Sequence, residues 1–235
     1  MNRSATRPSR SGFSLVELLV VIGIIGILAL IAVPTAQRIR DRAKQSSCLN
    51  NLKQWCYALT SYLDEHRGLM PAYEPGASDG WFNVLPPYLG VETMSDLMAG
   101  NRAGRNKNLF ICPADADAPD PGATYYSSYT LNTWVDDGAN QPPFKKRIRH
   151  SVLKFPTSFV VFTETCQGGT GGANLSTLVD AASGRSAFRH HKSINLGFAD
   201  GSANNFRMLE IWTPSATRTS NGGGLQWNPN DDKLQ

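Results

Sequence analysis

Much that would announce a function is missing from this chain. It has four cysteines in 235 residues and no C-x-x-C pair, so neither a dense disulfide scaffold nor a zinc site of local spacing is written into it. No metal held through cysteine is expected. Charged residues make up 18% of the chain, and the net charge is only +4. Basic residues cluster at 38–44 and 145–149 without the interleaved aromatics of a nucleic-acid stripe, so no nucleic-acid partner is expected. The glycine-rich stretch 167–174 lacks the Lys-Ser/Thr ending of a phosphate-binding loop and reads as a flexible loop.

What the chain does have is one long apolar run. "SGFSLVELLVVIGIIGILALIAVP" fills 11–34 and is unbroken from Leu18 to Val33, yet Glu17 stands inside it. A secretory signal has an apolar stretch of about 7–15 residues and a small-residue cleavage site; this run is longer, and Pro34-Thr35-Ala36 is a poor site. A plain transmembrane anchor needs about 20 apolar residues, which the run supplies without explaining Glu17. A carboxylate at the bilayer centre costs about 2.5–3.5 kcal/mol, so it calls for a partner. A cut between Gly12 and Phe13 would make one: the new α-amino group lies near Glu17, and the two charges offset each other between adjacent helices.

The order Gly12-Phe13-Ser14-Leu15-Val16-Glu17-Leu18-Leu19, behind a short basic leader (Arg3, Arg7, Arg10) and ahead of Pro34, resembles the N-terminus of type IV prepilins and type II secretion pseudopilins. The resemblance implies cleavage after Gly12 by a prepilin peptidase on the cytoplasmic side, methylation of Phe13, and a subunit-registry role for Glu17. It implies a bacterial inner-membrane protein, single-pass, whose extracytoplasmic head faces the periplasm and which enters a filament with other pilin-like subunits. Charge alone leaves the orientation undecided, because Arg38, Arg40, Arg42 and Lys44 follow the span.

Beyond Pro34 the pattern becomes amphipathic. Leu49, Leu52, Cys56, Leu59 and Leu63 recur at helical spacing, flanked by Trp55 and Tyr62, and Gly68 is a natural stop. A connector from 71 to 108 is expected to be loop-rich, with one short helix near 91–99. Strands are expected at 125–134, 146–153, 159–164, 194–199 and 203–209, with Asp200-Gly201 as a two-residue type I′ turn between the last two. The expected fold is α+β: a long N-terminal helix, half membrane and half amphipathic, packed on an antiparallel sheet. The organisation reads as leader 1–12, assembly helix 13–34, amphipathic helix 35–67 and head 68–235.

"SCLNNLKQ" (47–54), "FICP" (110–113), "SYTLN" (128–132) and "RHHKSINLGFADGS" (189–202) resemble a prepilin-type domain marked by His, nine residues, then Asp-Gly, here His190 and Asp200-Gly201. Ser202 departs from the His that often follows. His190, His191 and Asp200 raise the question of catalysis, but up to about 33 Å of extended chain separates His190 from Asp200. Asp200 therefore reads as a turn former and His190 as a surface or sheet-edge hydrogen bonder, with no catalytic residue expected.

Cys48 and Cys56 would stand roughly 12 Å apart on a helix, too far to bond, so any disulfide involves Cys112 or Cys166; free buried thiols are the alternative. Two acidic loops, Asp115/Asp117/Asp120 and Asp136-Asp137-Gly138, raise calcium, which major pseudopilins resembling this N-terminus bind near their C-terminal loops. Neither has the twelve-residue loop with a closing Glu, so solvated loops and no cofactor are expected. The rival to a filament subunit is a membrane-anchored extracytoplasmic hydrolase or carbohydrate-binding protein, for which Gly12-Phe13 beside Glu17 would have no use.

Overall fold

The computed structural model describes residues 14–73, 78–99, 107–115, 127–137, 146–165, 179–180, 185–186, 189–207 and 225. The chain divides into two compact units, 1–41 and 42–235. Helix α1, Leu15–Glu65, runs without a break through Pro34. The Thr35 hydroxyl donates to the carbonyls of Ile31 and Ala32, next to the proline that cannot donate its own N–H. In the first unit the apolar side chains from Leu15 to Val33 lie exposed on a helix long and apolar enough to cross a membrane.

In the second unit the later turns of α1 bury Cys48, Leu52, Trp55, Cys56, Leu59, Tyr62 and Leu63. This stripe covers a four-stranded antiparallel sheet ordered β1-β4-β7-β8, made of Tyr129–Leu131, Val160–Glu164, Ser193–Phe198 and Ala203–Arg207. Three further short helices, α2 (Trp81–Val84), α3 (Met94–Ala99) and α4 (Lys107–Phe110), occupy the connector, with a 3-10 turn at Pro86–Leu89. One short helix was expected there. The apolar residues of these turns pack as separate wedges: the Trp55 ring lies edge-on to Trp81 at 5.2 Å and against Phe110 at 5.1 Å, and helices as short as α2 and α4, 4 residues each, show no period in the sequence.

The helix meets the sheet most closely at Gly197. A Cβ there would lie 2.4 Å from Cys56 Sγ and 3.3 Å from Phe162 Cβ. Since side chains alternate along a strand, the residues two away from this contact, Glu164 beside Phe162 and Asn195 beside Gly197, also fall on the helix-facing side. That alternation is what brings a carboxylate beneath α1.

Other expectations need correction. The 146–153 segment is strand only at β3 (Lys146–Arg147), paired with β2 (Asp136–Asp137); it then turns as a 3-10 helix, His150–Val152. The His150 side chain is tied to the Ala199 carbonyl at 3.0 Å, and an isolated antiparallel bridge pairs Arg149 with Leu69, so the segment is held both by the β7–β8 hairpin and by the chain that follows α1. The Asp200-Gly201 hairpin is not a two-residue turn. Phe198 and Ser202 close a three-residue loop in which only Gly201 has positive φ, at 90°, and the Asp200 carboxylate accepts from the Ser202 N–H and hydroxyl. A short pair β5 (Val179–Asp180) and β6 (Arg185–Ser186) stands apart from the main sheet.

A two-residue turn with both φ positive does occur, at His191 (52°) and Lys192 (63°), closed by reciprocal backbone hydrogen bonds between His190 and Ser193. Both residues are exposed, and positive φ suits Lys192 less well than His191, histidine being enriched there among residues other than glycine. Replacing them by Asn-Gly, the pair suited to a type I′ turn, is expected to stabilise the protein by about 1 kcal/mol. Urea denaturation midpoints check this; a lower midpoint would show that the His191 and Lys192 side chains contribute more than the turn costs.

Candidate functional site

Two places carry chemistry: the start of α1, and a buried polar locus where α1 crosses the sheet. At the first, Ser14 and Glu17 form a reciprocal cap. The Ser14 N–H donates to Glu17 Oε2 at 2.9 Å, and the Val16 N–H donates to Ser14 Oγ at 3.3 Å. This is a capping box, and its S-x-x-E spacing stands in the sequence, where it gives Glu17 a role that the charge argument overlooks. Gly12 and Phe13 lie outside the described residues.

The second locus gathers the four quoted segments 47–54, 110–113, 128–132 and 189–202. Cys48 on α1 is bonded to Cys112, just after α4, with Cα atoms 5.0 Å apart. His190 is not at the surface: it is 3% exposed, and its Nε2 donates to Oε1 of Glu164, itself 0% exposed, at 2.9 Å. The reason is the type I′ turn, which folds His190 back under the helix just before β7 begins. The same Nε2 lies 3.5 Å from Cys112 Sγ. Glu164 also accepts from the Asn195 N–H at 3.0 Å and from Asn195 Nδ2 at 3.1 Å, and Asn205 in turn donates to Asn195 Oδ1. The carboxylate is thus held by three donors, as burial requires.

Around this centre, Tyr129 receives a hydrogen bond from Asn51 and donates to the Cys48 carbonyl at 3.4 Å. Burial, and then the Glu164 charge, push its phenol far up, so it stays a neutral donor. Asp115, from the first acidic loop, pairs with Arg189 and accepts from the Ser128 hydroxyl at 2.6 Å. Its carboxylate is engaged, while Asp117, Asp120 and Gly138 lie outside the described residues, as does Cys166. Asp200 and Gly201 sit at the hairpin tip beyond the far end of β7 and do not join His190.

Sequence reading missed Glu164 as the partner of His190, Asn195 as the second holder of that carboxylate, and the neighbouring Arg189–Asp115 pair. The available signal was Glu164 itself, an acid closing the strand-like run "FVVFTE" where both faces are apolar or small.

Cys56 is free and fully buried against Gly197. Burial pushes its thiol from 9.0 to about 12. Between those values an unfolded chain ionises Cys56 while the folded one keeps the proton, so stability falls as pH rises through that window, by about 1.4 kcal/mol per pH unit. The native protein is expected to resist iodoacetamide at Cys56 at pH ~8.5 and to be labelled there only in denaturant. Native labelling, read by peptide mass spectrometry, would show that the helix–sheet seam opens.

Comparison with known proteins bears on the first place. The family model described as the prokaryotic N-terminal methylation motif matches residues 7–33. The N-terminal segment is type IV pilin-like. The type IV major pilin protein PilA of Myxococcus xanthus (strain DK1622) is 43% identical over 65 residues, 28% of this chain and 30% of that protein. The chain therefore matches less than a third of the pilin's length, and no solved structure matches. The His-x9-Asp-Gly resemblance of the head finds no counterpart in these matches. The methylation motif at 7–33 and the buried locus belong to different units of the chain.

Proposed function

We propose that the chain is a structural subunit of a type IV pilus-like or type II secretion pseudopilus filament, stored in the bacterial inner membrane and cut by prepilin peptidase between Gly12 and Phe13. The observation that carries this reading is the methylation motif over 7–33, with Glu17 set into an exposed apolar helix. Methylated Phe13 would begin the mature chain, and its amine would pair with Glu17 of a neighbouring subunit while the apolar face of α1 is buried in the filament. The head would lie in the periplasm. A hydrolase reading gains no support from the His190–Glu164 pair, whose side chains are buried.

The capping box makes the test sharp. Glu17→Gln keeps the S-x-x-Q form of the cap and removes the charge. If Glu17 serves registry, the Gln variant inserts in the membrane at least as well as wild type, since a charge cost of up to about 2.5–3.5 kcal/mol is relieved. Its assembly then fails, because an unpaired buried ammonium costs about 3–5 kcal/mol, a hundredfold or more in subunit addition. If Glu17 only caps the helix, Gln assembles normally. Membrane fractions compared with sheared-filament or cross-linked fractions decide between them, and normal assembly of the Gln variant would sink the registry role.

A further inference from the structure

The buried locus has a second chemistry that its disulfide conceals. We propose that Cys48, Cys112, His190 and Glu164 bind one zinc ion when the two thiols are reduced, so that metal and disulfide are alternative closures of the same place. This stands independently of the filament reading.

The ligand atoms of these four residues lie within 4.8 Å of one another, and all four residues are buried. Two sulfurs, one imidazole nitrogen and one carboxylate oxygen form a donor set that zinc accepts in tetrahedral geometry. With Zn–S about 2.3 Å and Zn–N about 2.0–2.1 Å, the sulfur–nitrogen edge of such a tetrahedron is about 3.5 Å. Cys112 Sγ and His190 Nε2 are 3.5 Å apart. The nitrogen–oxygen edge would be about 3.4 Å, so Glu164 Oε1, now 2.9 Å from Nε2, needs to withdraw by only about half an ångström. The two sulfurs must part to about 3.8 Å.

The surroundings already hold the ligands in place. Asn195 fixes the Glu164 carboxylate through both its backbone and side-chain nitrogens, and Asn205 fixes Asn195, the outer-shell arrangement that raises metal affinity. The local spacing rules miss this site because its ligands come from α1, the turn after α4, the end of β4 and the turn before β7.

The exchange balances. A dithiol reductant breaks the Cys48–Cys112 S–S bond, delivers two electrons and two protons to the sulfurs, and leaves as its own disulfide. Zn2+ then displaces the two thiol protons to solvent and takes the place of the proton on His190 Nε2, the neutral imidazole keeping its one proton on Nδ1. Oxidation of the paired thiols by a disulfide oxidant reverses the sequence and expels the ion.

The test uses the full chain in detergent, unfolded in urea with or without a trialkylphosphine, refolded without oxygen and titrated with Co2+. The reduced protein should take one Co2+ per chain, with a sulfur-to-metal charge-transfer band and tetrahedral d–d bands, and Zn2+ should displace it; the oxidised protein should take none. His190→Gln should weaken Co2+ binding by at least about tenfold, and Cys56→Ser should leave it unchanged. A reduced, folded protein without the charge-transfer band overturns the proposal, as does a band that survives Cys48→Ser combined with Cys112→Ser. If the reduced chain stays unfolded by circular dichroism and neither ion restores it, the proposal also fails.

Discussion

His190→Ala is expected to destabilise the head by about 3–5 kcal/mol, because it leaves the fully buried Glu164 carboxylate without its imidazole donor. Against a total stability of ordinary size this is a large fraction, enough to unfold much of the population at 37 °C. Glu164→Gln on the same background should restore part of it. The amide oxygen still accepts from the Asn195 N–H, and no charge is left behind. Urea denaturation of the two single variants and the double variant measures the coupling. Additive losses, or a loss below about 1 kcal/mol for His190→Ala, would show that the pair is not coupled as described.

The second large effect belongs to a glycine. Gly197→Ala places a methyl group 2.4 Å from Cys56 Sγ and 3.5 Å from Leu52 Cγ, atoms on the rigid later turns of α1. The helix must lift from β7 or the strand must bow, and overpacking of this kind costs about 1–3 kcal/mol or more. Gly197→Val should exceed that and yield little folded protein. Cys56→Ala combined with Gly197→Ala removes the sulfur that the new methyl meets, so most of the stability should return. If the double variant is no better than Gly197→Ala alone, the clash is not where the geometry puts it.

Local signals in the sequence were enough for some elements and not for others. The stripe Leu52, Cys56, Leu59 and Leu63 has the helical period, and β4 and β7 are rich in β-branched and apolar residues, so these elements stood out. The His190 environment did not, because Cys112 and His190 are separated by 78 residues, and strand alternation turns Glu164 toward the helix only once the register is known. The type I′ turn was placed at Asp200-Gly201 because glycine marks such turns. The chain instead accepts positive φ at His191 and Lys192, where tertiary contacts of His190 hold the turn closed. Glu17 differs again: the S-x-x-E spacing that pairs it with Ser14 is local and legible, and the charge cost of a carboxylate in an apolar run is a separate property of the same residue.

The bond between Cys48 and Cys112 also bears on mechanics. A pull entering through the N-terminal end of α1 and leaving through the C-terminus crosses that bond directly, so the 64-residue separation it spans is shunted out of the load path. Fully extended, that stretch would be roughly 210–230 Å of slack. While the bond is intact, tension can draw out only the chain beyond Cys112, which carries every strand named above, and the helical connector is spared. Once reduced, the same head can lengthen by that further stretch, and the connector becomes part of the tether.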